Sequence, residues 1–131
     1  MNVVNVENTQ VQMRKGILEF CILHIISRGE IYSSDILKEL KEARIIVVEG
    51  TLYPLLTRLK NAELLGYSWK ESTSGPPQKH FFLSESGTTF LEKLNETWLD
   101  LIESTNQIIK KTNTDLYQKI MQIQMEAIKV R

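Results

Sequence analysis

From Glu85 to the end of the sequence there is no proline, and the one glycine of that stretch, Gly87, falls in its first turn. Leu91, Leu94, Trp98, Leu101, Ile102, Ile108 and Ile109 recur there at offsets of three, four and seven, the spacing of an apolar helical seam. A seam of that length needs another apolar surface to cover it. A second register lies in the same region. Ile102, Ile109, Leu116, Ile123 and Val130 are spaced by seven, and Leu99, Asn106, Asn113, Ile120 and Ala127 each fall three residues earlier, a coiled-coil pattern with two asparagines in it. Alternatively "TNTD", Thr112 to Asp115, breaks the helix and starts another capped at Asn113 or Thr114. Both readings stand, with the break preferred.

Upstream the elements are shorter. The first dozen residues, "MNVVNVENTQVQ", read as a loose arm or as an extra turn ahead of the next helix. From about Thr9 or Met13 to Ser27, a helix apolar around most of its circumference carries Ile17, Leu18, Phe20, Cys21, Ile25 and Ile26, and Gly29 stops it. Ser33 or Ser34 is placed to cap a second helix, with Ile36, Leu37 and Leu40 as its buried stripe and an end near Ala43. "VEGTLYPLLTRL", Val48 to Leu59, repeats leucine at helical spacing but holds Gly50 and Pro54. An interior proline usually costs about 3 kcal/mol, because it lacks an N–H for the carbonyl four residues back and crowds it. The residue four back is Gly50, so a bent helix start is expected there. "YSWKE" and "KHFFLS" then flank "STSGPP", a hairpin with a long polar tip. The expected architecture is mainly α with a two-stranded β wing. It divides into an N-terminal arm (1–12), a winged helix-turn-helix (13–84) and a C-terminal helical dimerisation region (85–131).

Composition narrows the chemistry. With 42% apolar and 24% charged residues among 131, the sequence is one ordinary globular domain's worth. Sixteen basic residues balance sixteen acidic ones, so any basic surface has to be local. The lone cysteine, Cys21, cannot form an internal bridge, no secretion signal opens the sequence, and a cytoplasmic location is expected. The longest apolar run, "FCILHII", is interrupted by His24 and is far short of the ~20 residues that cross a membrane. "CILH" spaces Cys21 and His24 as half of a metal site, but no other ligands stand nearby. A core cysteine beside a partly exposed histidine is the reading, with no metal and no cofactor. Neither a glycine-rich phosphate loop nor a G-x-S-x-G elbow occurs, and no enzyme activity is expected.

Three helices followed by a hairpin is the order of a winged helix-turn-helix. Gly50, Thr51 and Tyr53 then lie in the first turns of the recognition helix, the end that enters the major groove. Glycine would permit close approach there, and the other two offer hydroxyls. Arg58 and Lys60 on the same helix, with Lys70 and Lys79 beside the hairpin, are candidates for phosphate contacts. Tyr53 could instead pack on the second helix. Trp98 interrupts the C-terminal seam with a large flat ring that prevents close helix packing. With Leu94 and Phe20 it is the candidate lining of a site for planar aromatic molecules. Alternatively it only fills volume against Phe20 or Phe90.

"RKGILEFCIL", "EGTLYPLLTRL" and "SWKES" followed by "GPPQKHFFLSESG" resemble the PadR family of bacterial transcriptional regulators, over about Met13 to Ile109. The family pattern runs through G-T-L-Y-P in the recognition helix and G-P-P-R-K-Y-Y-x-L-T in the wing. The resemblance implies a cytoplasmic homodimer that binds an inverted-repeat operator in double-stranded DNA and represses transcription. It also implies release when a small aromatic or drug-like compound binds. The implied DNA-contacting residues are Tyr32, Ser33, Gly50, Thr51, Tyr53, Arg58, Lys60 and Lys79. The implied dimer seam is Leu91, Leu94, Trp98, Leu101, Ile102 and Ile109, helped by the first helix. Four positions depart from the family pattern: Ser33 replaces the glycine of Tyr-Gly, Val48 a capping serine or threonine, Glu63 a helix-ending glycine, and Gln78 the wing arginine. Val48 and Gln78 would also suit a winged-helix protein-interaction module that has lost operator binding and acts through its C-terminal helix. A ligand-sensing or catalytic domain would have only Trp98 and the seam in its favour.

Overall fold

In the computed structural model, which describes residues 4–45 and 47–130, with Val130 described by its backbone alone, α1 (Val6–Ser27) is the longest helix ahead of the wing. It starts at Val6 because the Asn5 side chain accepts the Asn8 amide at 2.8 Å and caps it. Residues 6–12 are therefore turns of α1, exposed to solvent, while residues 1–3 of the expected arm lie outside the described residues. A two-residue strand, β1 (Ile31–Tyr32), leads into α2 (Ser33–Glu42). Neither serine caps α2. Tyr32 occupies the N-cap with no side-chain bond, and Ser33 is already inside the helix and buried.

After α2 comes α3 (Glu49–Asn61), which carries Pro54 inside it. α2 and α3 end in the same way, without glycine. Arg44 and Glu63 take φ of 64° and 63°. The Ile45 amide reaches back to the Leu40 carbonyl at 2.8 Å, and the Leu64 amide to that of Leu59 at 3.0 Å. This is the Schellman closure, made by residues that pay about 1–2 kcal/mol for a left-handed backbone.

The strands β2 (Leu65–Ser72) and β3 (Gly75–Leu83) form the hairpin. They are the expected two-stranded wing, and β1 adds a third strand to the antiparallel sheet, in the order β1-β3-β2, with Tyr32 opposite His80 and Trp69 opposite Lys79. The tip is tighter than the sequence suggests, since Ser72 pairs with Gly75 and the two prolines lie within β3. They are tolerated because β1 pairs only with His80 and Phe81, leaving that end of β3 an edge.

Two units divide between Leu94 and Asn95. The core of the first is built from Ile22, Leu23 and Ile26 of α1, Ile36 and Leu40 of α2, and Leu52 and Leu56 of α3, all almost wholly buried. Each contributes about 1.5–3 kcal/mol relative to exposure. Phe81 and Leu65 fasten the sheet to this core. The helix α4 (Glu85–Lys110) begins at a clasp: the Ser84 amide donates to the Leu64 carbonyl at 3.0 Å, its hydroxyl donates to the Glu63 carbonyl at 2.6 Å, and its Oγ accepts the Gly87 amide at 3.0 Å.

In the second unit α4 stops at Lys110, and α5 (Thr114–Val130) starts afresh with Asn113 Oδ1 accepting the Asp115 amide at 3.0 Å. The break is realised, and the seven-residue register does not run through one continuous helix. Its last position, the Val130 side chain, lies outside the described residues. No described side chain from Asn95 onward is buried, although Trp98, Leu101, Ile102, Leu116, Ile120 and Ile123 are apolar.

Candidate nucleic-acid interface

Leu52, Leu56 and Leu59 hold one edge of α3 in the core with Leu55 packed against it, and Tyr53, Pro54, Thr57 and Arg58 between them are exposed. Tyr53, Thr57 and Lys60, at offsets of four and three, form one continuous exposed edge. Gly50, Pro54 and Arg58 line a second, which opens onto a groove against Lys15, Leu18 and Glu19 of α1. Val48 occupies the N-cap of the helix and makes no side-chain cap bond. A β-carbon built at Gly50 would meet nothing within 4 Å. Among the described residues, nothing in the packing therefore requires glycine at that position.

Ser33 and Tyr53 are not two parallel contacts. Ser33 is 2% exposed and its Oγ lies 3.1 Å from Tyr53 Oη, so its hydroxyl is engaged by the tyrosine. Tyr53 itself stays 44% exposed. It is tethered to the start of α2 and yet open, which joins the two readings of it. Tyr32 stacks on His80 across the sheet with ring centroids 5.8 Å apart.

The four cations separate by their neighbours. Arg58 is ion-paired with Glu19 of α1, and Lys70 Nζ lies 2.9 Å from Glu30. The hydrogen bond from Lys70 holds the Glu30 carboxyl below its ordinary range. Lys60 and Lys79 face rings instead: Lys60 Nζ is 5.2 Å from the Tyr67 centroid, and Lys79 Nζ is 4.6 Å from Tyr67 and 5.4 Å from Trp69. A ring orders a lysine without cancelling its charge, whereas a carboxylate cancels it locally. Lys60 and Lys79 are thus the better placed to meet a phosphate. Tyr67 and Trp69 complete this surface, and no sequence motif marks them for it. Their signal is only the two-residue spacing in "YSWKE", which puts both on one face of β2.

The remaining sequence candidates fall elsewhere. Leu91 is buried in the core of the first unit. Phe20 and Leu94 pack against that same core, Phe20 with its ring edge-on to His24 at 4.7 Å. Trp98, 38% exposed, belongs to the second unit together with Leu101, Ile102 and Ile109. Burial raises the Cys21 thiol above its usual range, as befits a residue packed beside a core. Among the described residues no three His, Cys, Asp or Glu side chains gather as a metal site, and no helix is long and apolar enough to cross a membrane.

Comparison with known proteins gives a consistent result. The profile of the Transcriptional regulator PadR-like family matches residues 22–93. A PadR-like transcription factor from Bacteroides fragilis is 55% identical, with 77% of this chain and 98% of that one covered and a TM-score of 0.66. A PadR-like transcriptional regulator from Bacillus cereus is 36% identical over 74% of this chain and 95% of that one, also at a TM-score of 0.66. A PadR family transcriptional regulator from Eggerthella lenta, at 27% identity, covers 82% and 94% with a TM-score of 0.74. Among curated proteins the chain has no match.

Proposed function

This chain belongs to the PadR-like family of transcriptional regulators, and from that premise we propose that it is a cytoplasmic homodimeric repressor of an inverted-repeat operator. In this reading residues 13–84 bind DNA and residues 85–131 dimerise. α3 enters the major groove with Gly50 and Thr51 foremost and Tyr53 beside them. Tyr32 and Lys60 contact the backbone, and the wing reaches it through Lys79. Arg58 joins them only by exchanging Glu19 for a phosphate, at small cost because exposed ion pairs are worth about 0–1 kcal/mol.

The observation that carries this reading is the exposed edge of α3, which runs from Tyr53 to Lys60 and leads to Lys79 by way of the Tyr67 ring. Dimerisation is supported by the second unit, where the apolar side chains Leu99, Leu101, Ile108, Leu116 and Ile123 are half or more exposed. An effector of small aromatic or drug-like type would bind on that seam at Trp98. It would act by changing the distance between two recognition helices.

Selection from random duplexes tests the proposal. The expected outcome is an enriched inverted repeat whose affinity falls linearly with salt on logarithmic axes. A protein that enriches nothing, and whose affinity for duplex does not respond to salt, is not an operator-binding repressor.

A further inference from the structure

We propose that Trp69 is a direct DNA contact of the wing, its indole packing on a deoxyribose beside the phosphate held by Lys79. This inference rests on the reading of the chain as a DNA-binding regulator and adds to it a residue and a mode of contact.

The aromatic side chains on this face of the hairpin are graded from core to tip. Phe81 is buried, Tyr67 opposite it is half-buried, and Trp69, one step further out, is 60% exposed. A lone exposed apolar residue needs no explanation, but this indole is neither lone nor loose. Tyr67 stands edge-on to it with centroids 6.1 Å apart, and Lys79, its partner across the strands, lies over both rings. Antiparallel partners project from the same face of a sheet, so the cation and the indole are presented together. The same Tyr67 ring also carries Lys60, from the end of α3. The cation–aromatic surface therefore continues the exposed edge of the recognition helix.

A flat apolar ring fixed beside an ordered ammonium matches the chemistry of a nucleic-acid strand, on which anionic phosphates alternate with apolar sugar faces. The ammonium takes the phosphate and the indole takes the sugar. Contact of this kind is tolerant of sequence, because every nucleotide presents the same sugar and phosphate. It also divides the two residues by their response to salt. Lys79 releases a counterion when it binds, and Trp69 does not.

The test combines resonance and affinity measurements on the whole protein. The sequence holds two tryptophans, so the Trp69 indole N–H resonance is assigned by its loss in Trp69→Phe and followed in wild-type protein as a labelled random-sequence duplex is added. It is expected to shift saturably, in step with binding measured by anisotropy. Trp69→Ala, checked for folding by circular dichroism, is expected to weaken random and selected duplexes equally, by about tenfold, with the salt slope unchanged. Lys79→Ala is expected to lower that slope by about one. The double variant should lose less than the product of the two single losses, since the indole also positions the ammonium. A Trp69 resonance that stays still while the duplex saturates, or a Trp69→Ala protein that binds as tightly as wild type, overturns this inference alone. Absence of any salt-dependent duplex binding by the wild-type protein overturns the operator-binding reading as well.

Discussion

Replacing Gly87 with alanine puts a methyl carbon 2.0 Å from the Leu64 carbonyl oxygen, 3.0 Å from its carbonyl carbon and 3.3 Å from Leu83 Cδ2. Carbon and oxygen normally stay about 3.3–3.6 Å apart even in favourable contacts, so helix and loop must separate by roughly 1 Å or more. The atom in the way is backbone and cannot rotate aside. It is also the acceptor of the Ser84 amide, within a clasp that includes the Ser84–Glu63 and Gly87–Ser84 hydrogen bonds. Losing three hydrogen bonds at about 1 kcal/mol each costs about 3 kcal/mol. Alanine returns up to about 1 kcal/mol as the better helix former, which leaves a net loss of about 2 kcal/mol. At roughly 4 °C per kcal/mol for a chain of this size, the melting point should fall by about 8 °C. Thermal unfolding by circular dichroism checks this at one fixed protein concentration, since in the proposed dimer the midpoint would depend on concentration. Ser86→Ala, at an exposed neighbouring position, should change little. A Gly87→Ala protein that melts with or above the wild type would mean that α4 slides past Leu64 without loss, and the reasoning would fail.

Gly50→Ala should do the opposite to stability, raising it by about 0.5 kcal/mol, because its β-carbon meets nothing within 4 Å and alanine suits a helix better. If the start of α3 lies against DNA, the same variant should bind duplex several-fold more weakly. Unchanged affinity in an anisotropy titration would remove Gly50 from the interface. Glu63→Gly should stabilise by about 1 kcal/mol, since it relieves a left-handed backbone at φ 63° and removes an acid from the negative end of α3. The rise in melting point is the measurement, and a fall would show that the Glu63 side chain makes a contribution larger than its backbone strain.

The features that could be read from the sequence are those set by neighbours a few residues away. The leucines of α3 recur within one helix, and Asn113 sits beside the amides it caps, so both the buried edge of α3 and the break before α5 follow from local pattern. Ser33 shows where local reading ends. A serine ahead of an apolar stripe looks like a cap, but its hydroxyl is taken by Tyr53, which lies 20 residues further on. β1 is two residues long and has no periodicity to detect; it exists because His80 and Phe81 are brought beside it. Glu63 departs from the glycine expected at a helix end, and the end forms regardless, because the Leu64 amide still reaches the Leu59 carbonyl and Leu64 packs against the core.

Charge follows the same logic, with a consequence for function. Arg58 is neutralised by Glu19, 39 residues away, and Lys70 by Glu30, while Lys60 and Lys79 are set on aromatic rings. None of these pairings is visible in a count of sixteen bases against sixteen acids. A chain with no net charge attracts phosphate only where the fold has drawn its carboxylates away from its cations. In the proposed reading Lys60 and Lys79, set on rings and not on carboxylates, make such a place of the wing face beside α3. Electrostatic attraction there acts over about 10 Å at ordinary salt, which is enough for a local patch to work although the whole molecule is neutral.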